Sequence, residues 1–191
     1  YTTLFRSTGD RNSENEWIVD PIDGTVNYFY TIPWFCVSIA LRRGGEVVLG
    51  VIYDPMMDEC WHVEKGGVPY MNGVPMHCSF RKRMAEAVVF VGHGKTDGSK
   101  EKGIERFAKI AWQVRKVRNN GSAALALAYI ACGRFDAYVE SVISIWDIAA
   151  GVLLVEAAGG KVILEPKKDN PEQFAIVAWN GCIPIVEALG E

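Results

Sequence analysis

Residues 17–30 read WIVDPIDGTVNYFY. Three apolar residues lead into Asp20 and Asp23, which flank Pro21 and Ile22, and no basic residue in the stretch neutralises the two acids. Proline fixes its own φ and donates no hydrogen bond, so the strand has to turn here. Two carboxylates brought together oppose each other's ionisation, and a divalent cation removes that penalty. The donors on offer are all oxygen: Asp20, Asp23 and a backbone carbonyl such as that of Ile22. Such a set suits Mg²⁺ or Mn²⁺ first and Ca²⁺ next, rather than zinc or copper. Gly24 and Thr25 follow, a glycine and a hydroxyl opening a short helix whose free N–H groups face an anion. Metal ligands beside an anion cradle fit a phosphate group. DPIDGT by itself reads equally well as an Asx turn capped by Thr25.

Two enzyme classes with similar letters are excluded. Haloacid-dehalogenase phosphatases carry a nucleophilic aspartate two positions before the DGT acid, and here that position is Pro21, which has no nucleophilic side-chain atom. Aspartic proteases need Asp-Thr/Ser-Gly, and this chain has Asp-Gly-Thr.

A second acidic motif weighs against the bland reading. SIWDIAAGVLLVEAAGG (residues 144–160) places Asp147 just ahead of a nearly all-apolar helix expected over residues 148–158. Such a helix is buried, and its N-terminal dipole tolerates a negative charge. Seven residues earlier Glu140 is expected to end the strand AYVE. A simple N-cap for Asp147 and a solvated charge for Glu140 are the alternatives when each is taken alone.

Elsewhere FCVSIALR (35–42) and VVLGVIY (47–53) read as a β-hairpin, ECWHVE (59–64) as a third strand, and KGGVPYMNGVPM as a segment wrapping the sheet end. After residue 80 strands alternate with helices. They run as a strand at 87–92, a helix at 100–112, a short strand at 113–118, a Ser122-capped helix within 121–134, then strands at 137–140, 161–164 and 174–180 and a short helix at 184–189. Residues 1–80 are thus expected to form an α+β half and residues 81–191 an α/β half. Trp34, Trp61, Trp112 and Trp179 are expected in core or interface space. His62 is read as a packed or edge histidine and RKR (81–83) as a solvated loop; His93, after a buried strand, falls near the C-terminal edge where sites gather in α/β folds, with a structural role favoured over a substrate contact.

The chain has 191 residues, 49% hydrophobic and 23% charged, with a net charge of −3. That balance carries no nucleic-acid footprint, and no apolar run approaches the ~20 residues that span a bilayer. Five scattered cysteines without a CxxC point to reduced thiols in a cytoplasmic setting, and the three histidines match no zinc spacing.

WIVDPIDGTVNYFYTIPWFCVSIAL together with WDIAAGVLLVEAAGG resembles the inositol monophosphatase family of lithium-sensitive, magnesium-dependent phosphatases. The likeness extends through GVIYDP, NGVPM, GSAALALAYIACGRFDAYVE and the final AWNG. It implies a layered αβαβα sandwich lacking its first helices, and a homodimer. It implies that Asp20 bridges two of two or three Mg²⁺ ions, that Ile22 lends its carbonyl, and that Asp23 and Asp147 complete a second metal site; Mn²⁺ could substitute. Thr25 would orient the attacking water, the amides of Gly24 and Thr25 would hold phosphate oxygens, and Gly121, Ser122 and Ala123 would form a substrate loop. Glu140 would accept hydrogen bonds from sugar-alcohol hydroxyls. The implied activity is hydrolysis of inositol monophosphate or a related small phosphate monoester. Fructose-1,6-bisphosphatase, histidinol-phosphatase and 3′-phosphonucleotide phosphatase are alternatives in the same superfamily, and a non-catalytic phosphate- or metal-binding remnant that keeps the scaffold is an alternative of another functional class. The family's further metal-binding glutamate, in a Gly-Glu-Glu type motif, is expected upstream of this chain, with Tyr1 to Thr3 as the motif's trailing edge; the resemblance therefore implies an incomplete first metal site here, one cation held weakly by Asp23 and Asp147, and an activity that needs the upstream segment.

Magnitudes favour metals over side-chain acid–base chemistry. The slowest phosphate-monoester hydrolyses are accelerated by up to ~10²¹, whereas a positioned acid or base supplies about 10²–10⁴. Charge neutralisation and positioning have to supply the rest.

Overall fold

The computed structural model describes residues 13–94 and 97–190. The polar stretch 1–16 reads as a loop in the sequence; residues 1–12, with the motif edge at Tyr1 to Thr3, lie outside the described residues, and Asn15 and Glu16 belong to a strand rather than a loop. β1 (Asn15–Asp23), β2 (Cys36–Arg43), β3 (Glu46–Asp54) and β4 (Glu59–Glu64) form an antiparallel meander. A two-strand extension, β5 (Tyr70–Met71) and β6 (Val74–Pro75), brings this sheet to six strands. The extension corrects the expected wrapping segment. Asn72 and Gly73 both have positive φ, 48° and 77°, and such an Asn-Gly pair closes a two-residue hairpin.

The second sheet runs in the order β10 (Lys161–Lys167), β11 (Asn170–Trp179), β9 (Ala137–Ser144), β7 (Val88–Val91), β8 (Lys116–Arg118). β7 pairs in parallel with both β8 and β9, and β11 antiparallel with β9. α3 (Ala123–Ala131) and α4 (Ile145–Ala157) lie between the sheets. α4 packs on β1 to β4 and also on β9 to β11. α2 (Asp97–Ala111) and α5 (Ile185–Leu189) cover the far face of the second sheet. This is the expected layered sandwich, with the six-stranded sheet outermost among the described residues.

Burial follows that layering. Alternation in the first sheet turns Ile18, Cys36, Ala40, Ile52, Trp61 and Val63 onto α3 and α4. The opposite face carries Trp17, Val19, Ile39, Leu41, Leu49, Val51 and Tyr53, all half-buried or exposed. α3 and α4 are apolar almost all round because both of their sides meet a sheet. α4 comes so close to β3 that a Cβ on Gly50 would lie 2.8 Å from the Ala150 carbonyl oxygen.

Several elements differ from the sequence reading. α4 begins at Ile145 rather than 148, because Ser144 with Asp147 three residues on forms a capping box. β9 continues past Glu140 to Ser144, so Glu140 is a buried mid-strand residue and not a strand end. Trp112 follows the end of α2 and is 92% exposed, outside the core, whereas Trp61 is fully buried. Arg81 is no solvated loop charge. Its Nε donates to both oxygens of the fully buried Asp136, at 2.8 and 3.0 Å. Asp136 also accepts from Ser79 Oγ (2.5 Å) and the Val88 amide (2.8 Å), tying the segment before β7 to the start of β9. All five cysteines are free; Cys36 and Cys78 are buried and Cys182 is exposed. No helix among the described residues is long and apolar enough to cross a membrane.

Removing one partner from a buried charge pair leaves the other groups without an acceptor, which typically costs about 3–5 kcal/mol. Asp136→Ala is therefore expected to lower unfolding stability by about 3 kcal/mol or more, read as a shifted urea midpoint at unchanged slope; a loss within experimental error would show that the network carries no stability.

Candidate metal and active site

The DPIDGT segment spans the end of β1 and its exit. Pairing with β2 slips between Asp20, opposite Ser38, and Asp23, opposite Cys36. That irregularity accommodates Pro21 and Ile22, and it turns Asp23 into the molecule while Asp20 stays half-buried. The Ile22 amide donates to Asp20 Oδ1 at 3.0 Å, an Asx turn. The Thr25 hydroxyl donates to the Ile22 carbonyl at 3.0 Å. The Asx-turn reading and the site reading thus describe the same residues. Gly24 caps α1 (Thr25–Phe29) at φ 94°, and a Cβ there would meet the Trp34 carbonyl oxygen at 2.9 Å, so the turn requires glycine.

Asp23 is the anchor of this segment. Its Oδ2 accepts from Ser122 Oγ at 2.6 Å and from the Ala124 amide at 2.7 Å. Ser122 is also the N-cap of α3, its oxygen accepting from the Leu125 amide. One serine therefore caps a core helix and holds an acid that lies 99 residues earlier in the chain. Gly121, at φ 77°, lies against the Asn27 side chain. Asn27 Nδ2 donates to the carbonyls of Asn120 (2.6 Å) and Trp34 (2.7 Å), joining the turn after β1 to the loop before α3. Ala123 is buried at the first turn of α3.

Asp147 enters from the first turn of α4, where its Oδ2 accepts from the Ser144 amide at 3.2 Å. Asp20, Asp23 and Asp147 each offer an oxygen, and these three atoms lie within 4.8 Å of one another. Glu140 is not a member of this cluster. Its Oε1 accepts from the Gly94 amide at 2.9 Å and its Oε2 from the Tyr138 hydroxyl at 2.5 Å. Its charge still reaches the cluster and acts on Asp23.

Electrostatics tests whether a cation fits. Burial first, and the neighbouring Asp20 carboxylate next among the raising influences, push Asp23 up to about 7 against the hydrogen bonds that favour its ionised form. Burial, then the charge of Asp23, then a hydrogen bond to Asp20, push Asp147 up to about 9. Three oxygen donors with no cationic side chain among the described residues bonded to them, and two of them reluctant to ionise unaided, fit a hard divalent ion.

The Asn27 bridge, the Tyr138 hydroxyl and the Asp23–Ser122 bond were not read from the sequence. The alternation of β9 could have placed Tyr138 on the face of Glu140; nothing local in the sequence signals the other two.

The Inositol monophosphatase family model matches residues 7–182. The chain belongs to the inositol monophosphatase family. Among curated members of that family, the chain is 41% identical over 174 residues to the Inositol-1-monophosphatase of Mesorhizobium japonicum, a match covering 90% of this chain and 65% of that protein. It is 40% identical to the Fructose-1,6-bisphosphatase/inositol-1-monophosphatase of Thermotoga maritima, over 92% of this chain and 68% of the relative. The solved inositol monophosphatase of Anabaena (Nostoc) sp. PCC 7120 superposes with a TM-score of 0.82 at 38% identity, covering 91% of this chain and 70% of that one. The chain thus spans less than two thirds of the Mesorhizobium protein's length. For this inositol monophosphatase family member, the acidic cluster is the feature on which metal binding should report.

Replacing Asp147 by Asn relieves burial and repulsion while keeping an acceptor for the Ser144 amide. The metal-free variant is expected to be more stable than the parent at neutral pH by about 1–2 kcal/mol. Added Mg²⁺ should raise the parent's melting temperature by about 2–4 °C and leave the variant's nearly unchanged. Equal responses of the two proteins in thermal unfolding would remove Asp147 from the ligand set.

Proposed function

We propose that the protein is a Mg²⁺-dependent phosphomonoesterase acting on inositol monophosphate or a related sugar or polyol phosphate. The observation that carries this reading is the meeting of Asp20, Asp23 and Asp147, from two distant parts of the chain, beside Thr25 and the Ser122-capped start of α3. Membership of the inositol monophosphatase family supports the same chemistry.

In this reading Asp20, Asp23, Asp147 and the Ile22 carbonyl hold the metal. Bound there, Mg²⁺ would neutralise phosphoryl charge and lower the pKa of the attacking water. The chain's own groups do the positioning. The Thr25 hydroxyl commits its proton to the Ile22 carbonyl, which leaves its oxygen to accept a hydrogen of the water and orient it. The amides of Gly24 and Thr25 bind phosphate oxygens, and Gly121, Ser122 and Ala123 form the opposite wall of the phosphate site. Glu140 accepts hydroxyls of the alcohol part. No side-chain nucleophile takes part, so water attacks phosphorus directly and in line. The proposal includes two or three Mg²⁺ ions, with Mn²⁺ able to substitute, a homodimer and a cytoplasmic location, all carried by the family resemblance.

A second reading, fructose-1,6-bisphosphatase activity, is favoured by the Thermotoga maritima relative, whose name joins both activities. Phosphate release from inositol 1-phosphate, fructose 1,6-bisphosphate, histidinol phosphate and adenosine bisphosphate separates the two. Inositol 1-phosphate is expected to be turned over fastest, only with a divalent cation, and Thr25→Ala is expected to lower kcat by about 10²-fold. Cation-independent release, or full activity in Thr25→Ala, would overturn the mechanism.

A further inference from the structure

β9 divides its side chains between two layers. Ala137 and Val139 join the cluster beneath α2 and α5, while Tyr138 faces the layer of α3 and α4. Glu140, two residues on, shares the face of Tyr138. This period places the Glu140 carboxylate within electrostatic reach of Asp23. Tyr138 is fully buried, its ring edge-on to Phe90 at 5.4 Å between centroids. Its hydroxyl donates to Glu140 Oε2 at 2.5 Å. Burial, reinforced by the Glu140 charge, holds the phenol far above its ordinary pKa, so it remains a neutral donor.

The backbone of the turn after β7 fixes the other side. The Gly94 amide donates to Glu140 Oε1 at 2.9 Å, and a Cβ on Gly92 would lie only 1.8 Å from Oε2. The carboxylate is therefore gripped between a buried phenol and a glycine turn. An ionised carboxylate only accepts hydrogen bonds, and the hydroxyls of a polyol are donors that match it. A phosphate group, rich in acceptors and negatively charged, does not.

We propose that Tyr138 is the positioning residue for polyol recognition: from behind Glu140 it holds that carboxylate in the orientation that receives the hydroxyls of the alcohol part of the substrate. It acts on the alcohol end and leaves the phosphate end alone. This rests on the reading of Glu140 as the polyol contact. A phenol that merely filled core space would have no such selective effect, because Tyr138→Phe keeps the ring and its packing on Phe90.

The test is calorimetric titration of the Ca²⁺-loaded protein with inositol 1-phosphate and, separately, inorganic phosphate. The parent is expected to prefer the polyol phosphate. Tyr138→Phe should weaken inositol 1-phosphate about tenfold, the scale of one hydrogen bond to a charged group, with inorganic phosphate held within about twofold. Glu140→Gln should show the same selective loss, and the double variant should bind no worse than the weaker single one. Equal weakening of both ligands in Tyr138→Phe would reveal a general structural role and overturn the proposal. So would a parent-like preference in that variant. A parent protein that holds the two phosphates equally, or binds neither, would defeat the Glu140 reading itself and with it this inference.

Discussion

The hydrogen bonds from Ser122 and the Ala124 amide to Asp23 are the constraint on which the site depends. They join the exit of the first sheet to the N-terminus of a helix in the middle layer, across a separation of 99 to 101 residues. Because the same serine caps α3, the helix start and the aspartate cannot move independently. Asn27 repeats the linkage by binding carbonyls on both loops. With the β1 exit fixed against α3, the first turn of α4 delivers Asp147 opposite Asp20 and Asp23.

The arrangement opposes its own stability. Three acids converge where burial and mutual repulsion both disfavour their charged forms. Such a cluster persists only because the surrounding fold over-determines it: glycine where only glycine fits, a capped helix, and two sheets clamping α4. Asp136 shows the contrasting solution. It is fully buried, more so than any acid of the cluster, but Arg81, Ser79 and a backbone amide meet its charge, so it welds segments together. One buried acid is satisfied by the protein; the other group keeps its mutual repulsion. That difference marks the cluster, and not Asp136, as the candidate metal site.

The hairpin of β2 and β3, the third strand β4 and the two apolar helices were legible because period and burial agree along each of them. Boundaries failed where a side chain outside the periodic pattern set the end. Ser144 started α4 three residues early, and β9 ran on past its only acid because Glu140 found donors inside the protein. Trp112 was misread because aromatic bulk by itself does not say whether a neighbour covers it. Arg81 was misread because its partner, Asp136, is 55 residues away.

The sequence by itself determined the chemistry on offer: paired aspartates after an apolar strand, a glycine and hydroxyl next to them, and an aspartate at the head of a buried helix. It also marked most of the strands, since alternation and continuous apolar runs are local properties of the chain. Only the tertiary structure decided which acids meet, which are neutralised by the protein, and that Glu140 is held between Tyr138 and the Gly92–Gly94 turn. Those outcomes depend on distances between residues tens of positions apart, and such distances are set by how layers pack rather than by any local pattern.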